Sequence, residues 1–327
     1  MKKLSHLSLC PKLLSMFLVA AMLTLSGVVT FGDPFKRIVS FGDSLADTGT
    51  AHIYTGGFVP TEPGHFEGRF SNGIVWVEYL ASDLRLPVDD YACGGARTND
   101  QNFLDPATIP LGVELPGFTD EVDMFLADLG TSRVHQRDLF AVTMGSNDFF
   151  TYFTLVEVGL WPVMVDFPIG VMVGNEVDNI ERLLNAGAQH VVVTNIPDLS
   201  KTPKFAAYPG VIKEWIRIMV GTYNLLLELE LGLLADDYNC SIVVVDIESA
   251  MNHMVSNKEL YGLENVTESL ETNPALNPDT TLFWDDVHPT TYGHRLLANE
   301  VLDSILKAYV PGEAIGLDGN LPGWIQN

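Results

Sequence analysis

Ser44 stands in the block Phe41-Gly42-Asp43-Ser44-Leu45-Ala46-Asp47-Thr48-Gly49, just past a run rich in apolar residues. A serine placed after a buried strand and at the start of a helix can present its hydroxyl at the carboxyl edge of a parallel sheet, where open α/β folds bind ligands. Its own amide can face the same point. A serine in such a place is at least as often a helix cap, so it becomes a candidate nucleophile only if a base reaches it. Near the C-terminus, Phe283-Trp284-Asp285-Asp286-Val287-His288-Pro289-Thr290 offers one. An Asp and a His three apart can meet if their loop curls. The carboxylate then holds the imidazole tautomer while the other ring nitrogen takes the serine proton.

Nucleophilic attack on a carbonyl also needs donors for the developing oxyanion. In Tyr91-Ala92-Cys93-Gly94-Gly95-Ala96, paired glycines let backbone amides approach an anion with no Cβ in the way. In Met144-Gly145-Ser146-Asn147-Asp148, the Asn147 amide is a second candidate donor. Either block alone reads as an ordinary turn. Asp43 and Asp47 flank Ser44 and read as caps of its loop, and Arg69 and Asn72 read as supports around the site. Asp285, Asp286, His288 and His294 complete no metal-ligand set of known spacing, so no metal and no cofactor are expected. His52, His65, His135, His190 and His253 have no motif around them and read as surface or satisfied polar residues. No Gly-x-Ser-x-Gly elbow surrounds Ser44, and no phosphate-cradling loop occurs.

These residues need a scaffold that brings four distant blocks to one edge. Five short runs read as buried strands: Arg37 to Phe41, Pro87 to Tyr91, Leu139 to Thr143, His190 to Thr194 and Ser241 to Asp246. Helical spacing recurs between and after them, over Val75 to Leu84, Thr119 to Leu129, Asn175 to Asn185, Ile212 to Ala235 and Thr290 to Ala308. Strands alternating with helices predict a parallel sheet covered on both faces, a three-layer α/β/α domain. Phe149 to Val173, very apolar, reads either as a core helix pair broken by Pro162 and Pro168 or as an apolar wall beside the site.

The chain has 327 residues, 47% apolar and 18% charged, with a formal charge of −24. Lys2, Lys3 and Lys12 precede an uncharged apolar run from Leu13 to Val29, the layout of a secretory signal peptide. Residues 1–32 are therefore expected to be removed on export, leaving a domain over 33–310 and a Gly/Pro-rich tail over 311–327. Losing three lysines and no acid takes the charge to −27. Such a field repels phosphate backbones and anionic lipid, which argues against nucleic acid as a partner. Cys10 precedes the apolar run and cannot bear a lipid on a mature N-terminus, so no stable membrane anchor is expected.

The blocks around Ser44, Gly95, Asn147 and His288, in this order, resemble the SGNH hydrolases, also called the GDSL lipase/esterase family. Gly68-Arg69-Phe70-Ser71-Asn72-Gly73 with Trp76, Asn195-Ile196-Pro197-Asp198, and His288-Pro289-Thr290 followed by Gly293-His294 extend the similarity over most of the chain. The resemblance implies Ser44, Asp285 and His288 as the catalytic triad, with Ser44, Gly95 and Asn147 around the oxyanion. Gly94 is the alternative to Gly95, and Asp286 is one residue too close to His288 for the family's spacing. It further implies a five-stranded parallel sheet in flavodoxin-like order 2-1-3-4-5, which puts Cys93 and Cys240 far apart as free thiols. The chain is most similar to the bacterial secreted branch with phospholipases, lecithinase-type hemolysins and choline esterases, and the tail is too short for the outer-membrane barrel some members carry. The implied partner is a small-molecule or lipid ester, with Phe149, Tyr152, Trp161 and Trp284 as expected substrate contacts. Short-chain or choline esters, acyl transfer to an alcohol, deacetylation of glycans, and a non-catalytic binding protein on the same fold are the alternatives.

Overall fold

The computed structural model describes residues 35–61, 64–157 and 168–309. The expected leader with its expected cleavage point, the tail and Trp161 lie outside them. In chain order the principal elements are β1 (Arg37–Gly42), α1 (Thr50–Tyr54), α2 (Trp76–Leu84), β2 (Val88–Asp90), α3 (Phe118–Leu129), β3 (Asp138–Thr143), α4 (Ser146–Glu157) and α5 (Ile169–Asn185). There follow β4 (His190–Thr194), α6 (Gly210–Tyr238), β5 (Ser241–Val245), α7 (Ile247–Ser256), β6 (Asn265–Ser269), β7 (Thr281–Phe283) and α8 (Thr291–Tyr309).

Strands β1 to β5 form one parallel sheet in the order β2-β1-β3-β4-β5. Both the expected strands and the expected order are met, with ends differing by a residue or so. Successive side chains of a strand point to opposite faces, and the core divides accordingly. Val39 and Phe41, Phe140 and Val142, and Val191 and Val193 pack under α3, α4, α5 and α6. Ile38, Leu139, Ala141 and Val192 pack on the other face, under α2 and α8. β3 and β4, covered on both faces, are apolar between their end residues and show no polar alternation.

Arg37 ties the amino ends of the three neighbouring strands, donating to Asp138 at 2.8 Å and to Asp89. Cys93 is buried beyond β2, Cys240 precedes β5 on the opposite edge, and both are free thiols. Helices α1 and α7 have no counterpart among the expected helical segments, and two further features depart from the expected elements. Helix α5 starts at Ile169, directly after Pro168, rather than at Asn175. A small parallel ribbon of β6 and β7 precedes the histidine loop.

Candidate active site

β1 delivers Ser44 to the carboxyl edge of the sheet. The serine does not open a helix as expected; it lies in a single turn closed by Ala46 and Asp47 amides donating to the Asp43 carbonyl, both at 3.0 Å. Asp43 is buried and its side chain accepts from the Leu45 amide at 3.0 Å. Burial, only partly offset by that bond, pushes its pKa up to about 6. Asp47 accepts from the amides of Gly49, Thr50 and Ala51 at the start of α1, and from the Gly94 amide at 2.7 Å. One buried carboxylate thus caps a helix and joins the serine loop to the loop after β2.

The ribbon and α8 deliver His288. Phe283 bridges to Pro289, the Trp284 amide donates to the His288 carbonyl at 2.8 Å, and Thr290 Oγ1 donates to the Thr281 carbonyl at 2.7 Å. Within the loop so closed, Asp285 Oδ1 accepts from the amides of Val287 and His288, and Asp285 Oδ2 lies 2.6 Å from His288 Nδ1. His288 Nε2 lies 2.8 Å from Ser44 Oγ. An ionised carboxylate can only accept, so Nδ1 carries the proton and Nε2 accepts from the serine hydroxyl. Burial disfavours protonated His288, but Asp285 more than offsets this and holds its pKa above the usual histidine value. Asp285 is held below the usual carboxylate range by His288 and the two amides, against its own burial.

The segment after α1 braces this loop. Ser71 Oγ donates to the Pro289 carbonyl at 2.9 Å and Asn72 Oδ1 accepts from the Thr291 amide at 2.8 Å. The Phe70 ring packs 5.3 Å from the His288 ring. Arg69 has no hydrogen bond or ion pair to Ser44, Asp285 or His288; it forks onto Glu78 at 2.8 and 3.2 Å. His294 is fully buried with both ring nitrogens unpartnered, and burial together with nearby His288 lowers its pKa to about 3. It therefore stays neutral.

Among the described residues, the Ser44 and Gly95 amides have no hydrogen-bond partner, whereas the Gly94 amide is committed to Asp47. Asn147, at the start of α4, gives one Nδ2 proton to the Ala96 carbonyl at 3.1 Å and keeps the other. Ser44, Gly95 and Asn147 line one pocket with His288, each with an unused N–H, whereas Gly94 has none to offer. Gly95 has φ +85°, and a Cβ there would stand 2.2 Å from Asn102 Oδ1, so the position takes only glycine without strain. Sequence reasoning missed the residues that hold this loop. Asn102 donates to the Gly94 and Pro116 carbonyls, and buried Glu121 accepts from the amides of Gly42 and Cys93.

Two pockets meet at Ser44 and His288. One is strongly apolar and enters between α7 and α8, past Phe150, Leu199 and Phe283. The other is mixed, with Phe70, Phe103, Lys204, Glu271 and Asp286 around Gly95 and His288. The expected substrate contacts fare differently. Phe149 is fully buried in the core against Tyr223, and it is Phe150, one residue on, that lines both pockets. Tyr152 is half-buried on α4 and lines neither. Trp284 packs on His65, 5.7 Å away, in a separate depression with Thr61 and Leu276.

The sequence profile of the GDSL-like lipase/acylhydrolase family matches residues 38–301. The chain is 28% identical to a thermolabile hemolysin of Vibrio parahaemolyticus over 83% of its own length and 64% of that protein's, just under two thirds. It is 26% identical to a phosphatidylcholine-sterol acyltransferase of Aeromonas hydrophila, over 84% of this chain and 91% of that one. It is also similar to the secreted effector protein SseJ of Salmonella typhimurium, at 32% identity over 54% of this chain and 38% of that one.

Proposed function

Since the chain belongs to the GDSL-like lipase/acylhydrolase family, we propose that it is a carboxyl-ester hydrolase that acts on lipid-type esters through an acyl-enzyme on Ser44. The observation that carries this reading is the continuous chain Ser44 Oγ, His288 Nε2, His288 Nδ1, Asp285 Oδ2, with contacts of 2.8 and 2.6 Å. As Ser44 Oγ attacks the ester carbonyl, its proton passes to His288 Nε2, and Asp285 stabilises the imidazolium. The carbonyl oxygen turns anionic among the amides of Ser44 and Gly95 and the Asn147 side chain, donors already in place before charge develops. Collapse of the tetrahedral intermediate expels the alcohol, which takes the proton from His288. Water then repeats the sequence and frees the acid.

An alcohol in place of that water makes the same site a transferase, a second outcome favoured by the acyltransferase relative. The apolar pocket at Ser44 supports a lipid-type acyl group over a sugar ester. Export rests on the basic and apolar residues of the first 32 positions.

Labelling by a fluorophosphonate tests the reading, because only an activated serine reacts. Wild type is expected to gain one phosphonyl group, on Ser44, and Ser44→Ala none. Equal labelling of both, or of neither, contradicts it.

A further inference from the structure

The acyl-enzyme needs its chain stored somewhere that leaves a path for water. Around Ser44 the oxyanion occupies the side of Gly95 and Asn147, and the leaving alcohol must face His288 Nε2 to collect a proton. Both pockets reach Ser44 and His288, but the mixed one presents Lys204, Glu271 and Asp286, groups that keep water. A chain lying there would block the water that must follow the alcohol. The apolar pocket is the other direction, and its mostly apolar lining gives water few partners.

This pocket is a cleft between facing helices. Ala250, Met251 and Met254 of α7 and Gly293, Leu297 and Glu300 of α8 line it. Gly293, Leu297 and Glu300 are spaced i, i+4, i+7, hence on one helix face, and the rise from the first to the last is ~10.5 Å. Gly293 belongs at the ribbon end, where a Cβ would stand 2.8 Å from the Leu282 carbonyl. Glu300 is the one ionisable group on the α8 side of the cleft. Among the described residues no hydrogen bond or ion pair reaches its carboxylate; burial and neighbouring Asp303 raise its pKa, more than Lys307 and His253 lower it.

We propose that the α7–α8 cleft holds the acyl chain and that Glu300 sets the length it accepts. The proposal rests on the Ser44 acyl-enzyme reading. A chain running from Gly293 to Glu300 fits roughly eight carbons in extended form. A further methylene strips water from the carboxylate and gives it no partner, which penalises longer chains.

The test compares kcat/KM for p-nitrophenyl esters of two to sixteen carbons in wild type, Ala250→Trp and Glu300→Leu, with fluorophosphonate labelling of each variant as the check on folding and on Ser44. Wild type should peak at medium length. Ala250→Trp fills the cleft and should lower the ratio of eight-carbon to two-carbon turnover about tenfold or more, the scale of a blocked apolar pocket. Glu300→Leu should raise the sixteen-carbon to eight-carbon ratio by about as much. Variants that label normally with an unchanged profile overturn the proposal while leaving the hydrolase reading intact. So does a Glu300→Leu variant that loses acetylcholine turnover but keeps that of the neutral isostere 3,3-dimethylbutyl acetate, since the cleft would then hold the alcohol. Absence of labelling in wild type sinks the underlying reading instead.

Discussion

In the proposed mechanism His288 serves as a base only while neutral, and Asp285 sets the pH at which that holds. Because Asp285 raises the His288 pKa above its usual 6.5, kcat/KM should climb with pH through a midpoint above that value and then level off. Asp285→Asn removes the raising charge and the tautomer lock together. The midpoint should move down while the plateau falls by roughly 10⁴-fold; a pH–rate profile with an unmoved midpoint would show that the carboxylate does not act on this imidazole. The candidate groups were legible in the sequence because four blocks that each read alone as a cap or a turn stand together in the order of the family they resemble. The substrate wall was not. Phe149 and Phe150 are chemically alike and adjacent, and one step along a helix turns a side chain by ~100°, so composition could not say which faces the core. The choice of Gly95 over Gly94 likewise depended on where the Gly94 amide goes, which only the Asp47 contact decides.

At the scale of elements, α1 and α7 were not read, whereas the central strands could be read because burial on both faces leaves a nearly unbroken apolar signal, and five of the helices because theirs repeats at helical spacing. The β6–β7 ribbon could not. It is short, and β6 carries Asn265, Thr267 and Glu268, a pattern that looks like loop. The braces between loops were also invisible, since Glu121 lies 79 residues from the Gly42 amide it accepts, and long-range pairing leaves no local trace. The loop after β2 offers a direct test of this layer. Gly95→Ala introduces a side chain where Asn102 and a left-handed backbone leave no room. It should cost about 1–3 kcal/mol of stability and, by turning the amide away, roughly a hundredfold or more in kcat. Thermal melts and kcat measured on the same preparation check both effects; full activity would remove the Gly95 amide from the oxyanion site.

Across the molecule, the acidic excess is not confined to the solvated surface. Asp43, Asp47, Glu121, Asp148 and Glu176 are buried beneath or beside the site, satisfied mostly by amides and hydroxyls. Glu176 shows the consequence. It accepts from the Tyr223 hydroxyl, its Oε1 has no partner, and burial pushes its pKa up to about 8 from 4.5. Between those values the folded chain keeps a proton that the unfolded chain releases, so this group's contribution to stability falls as pH rises toward 8. Glu176→Gln keeps an acceptor for Tyr223 and does not titrate. Its stability relative to wild type should therefore rise between pH 5 and 8, by up to about 1.4 kcal/mol per pH unit. Urea unfolding at several pH values measures this, and a difference that does not vary with pH would contradict it.

The most direct measurement of the central claim is hydrolysis of a p-nitrophenyl ester by wild type and Ser44→Ala under identical conditions. The structure predicts that wild type turns the ester over and that the variant loses roughly 10⁴-fold or more of that rate, retaining only what the oxyanion donors and binding contribute. Equal rates in the two proteins would contradict a serine mechanism at this site.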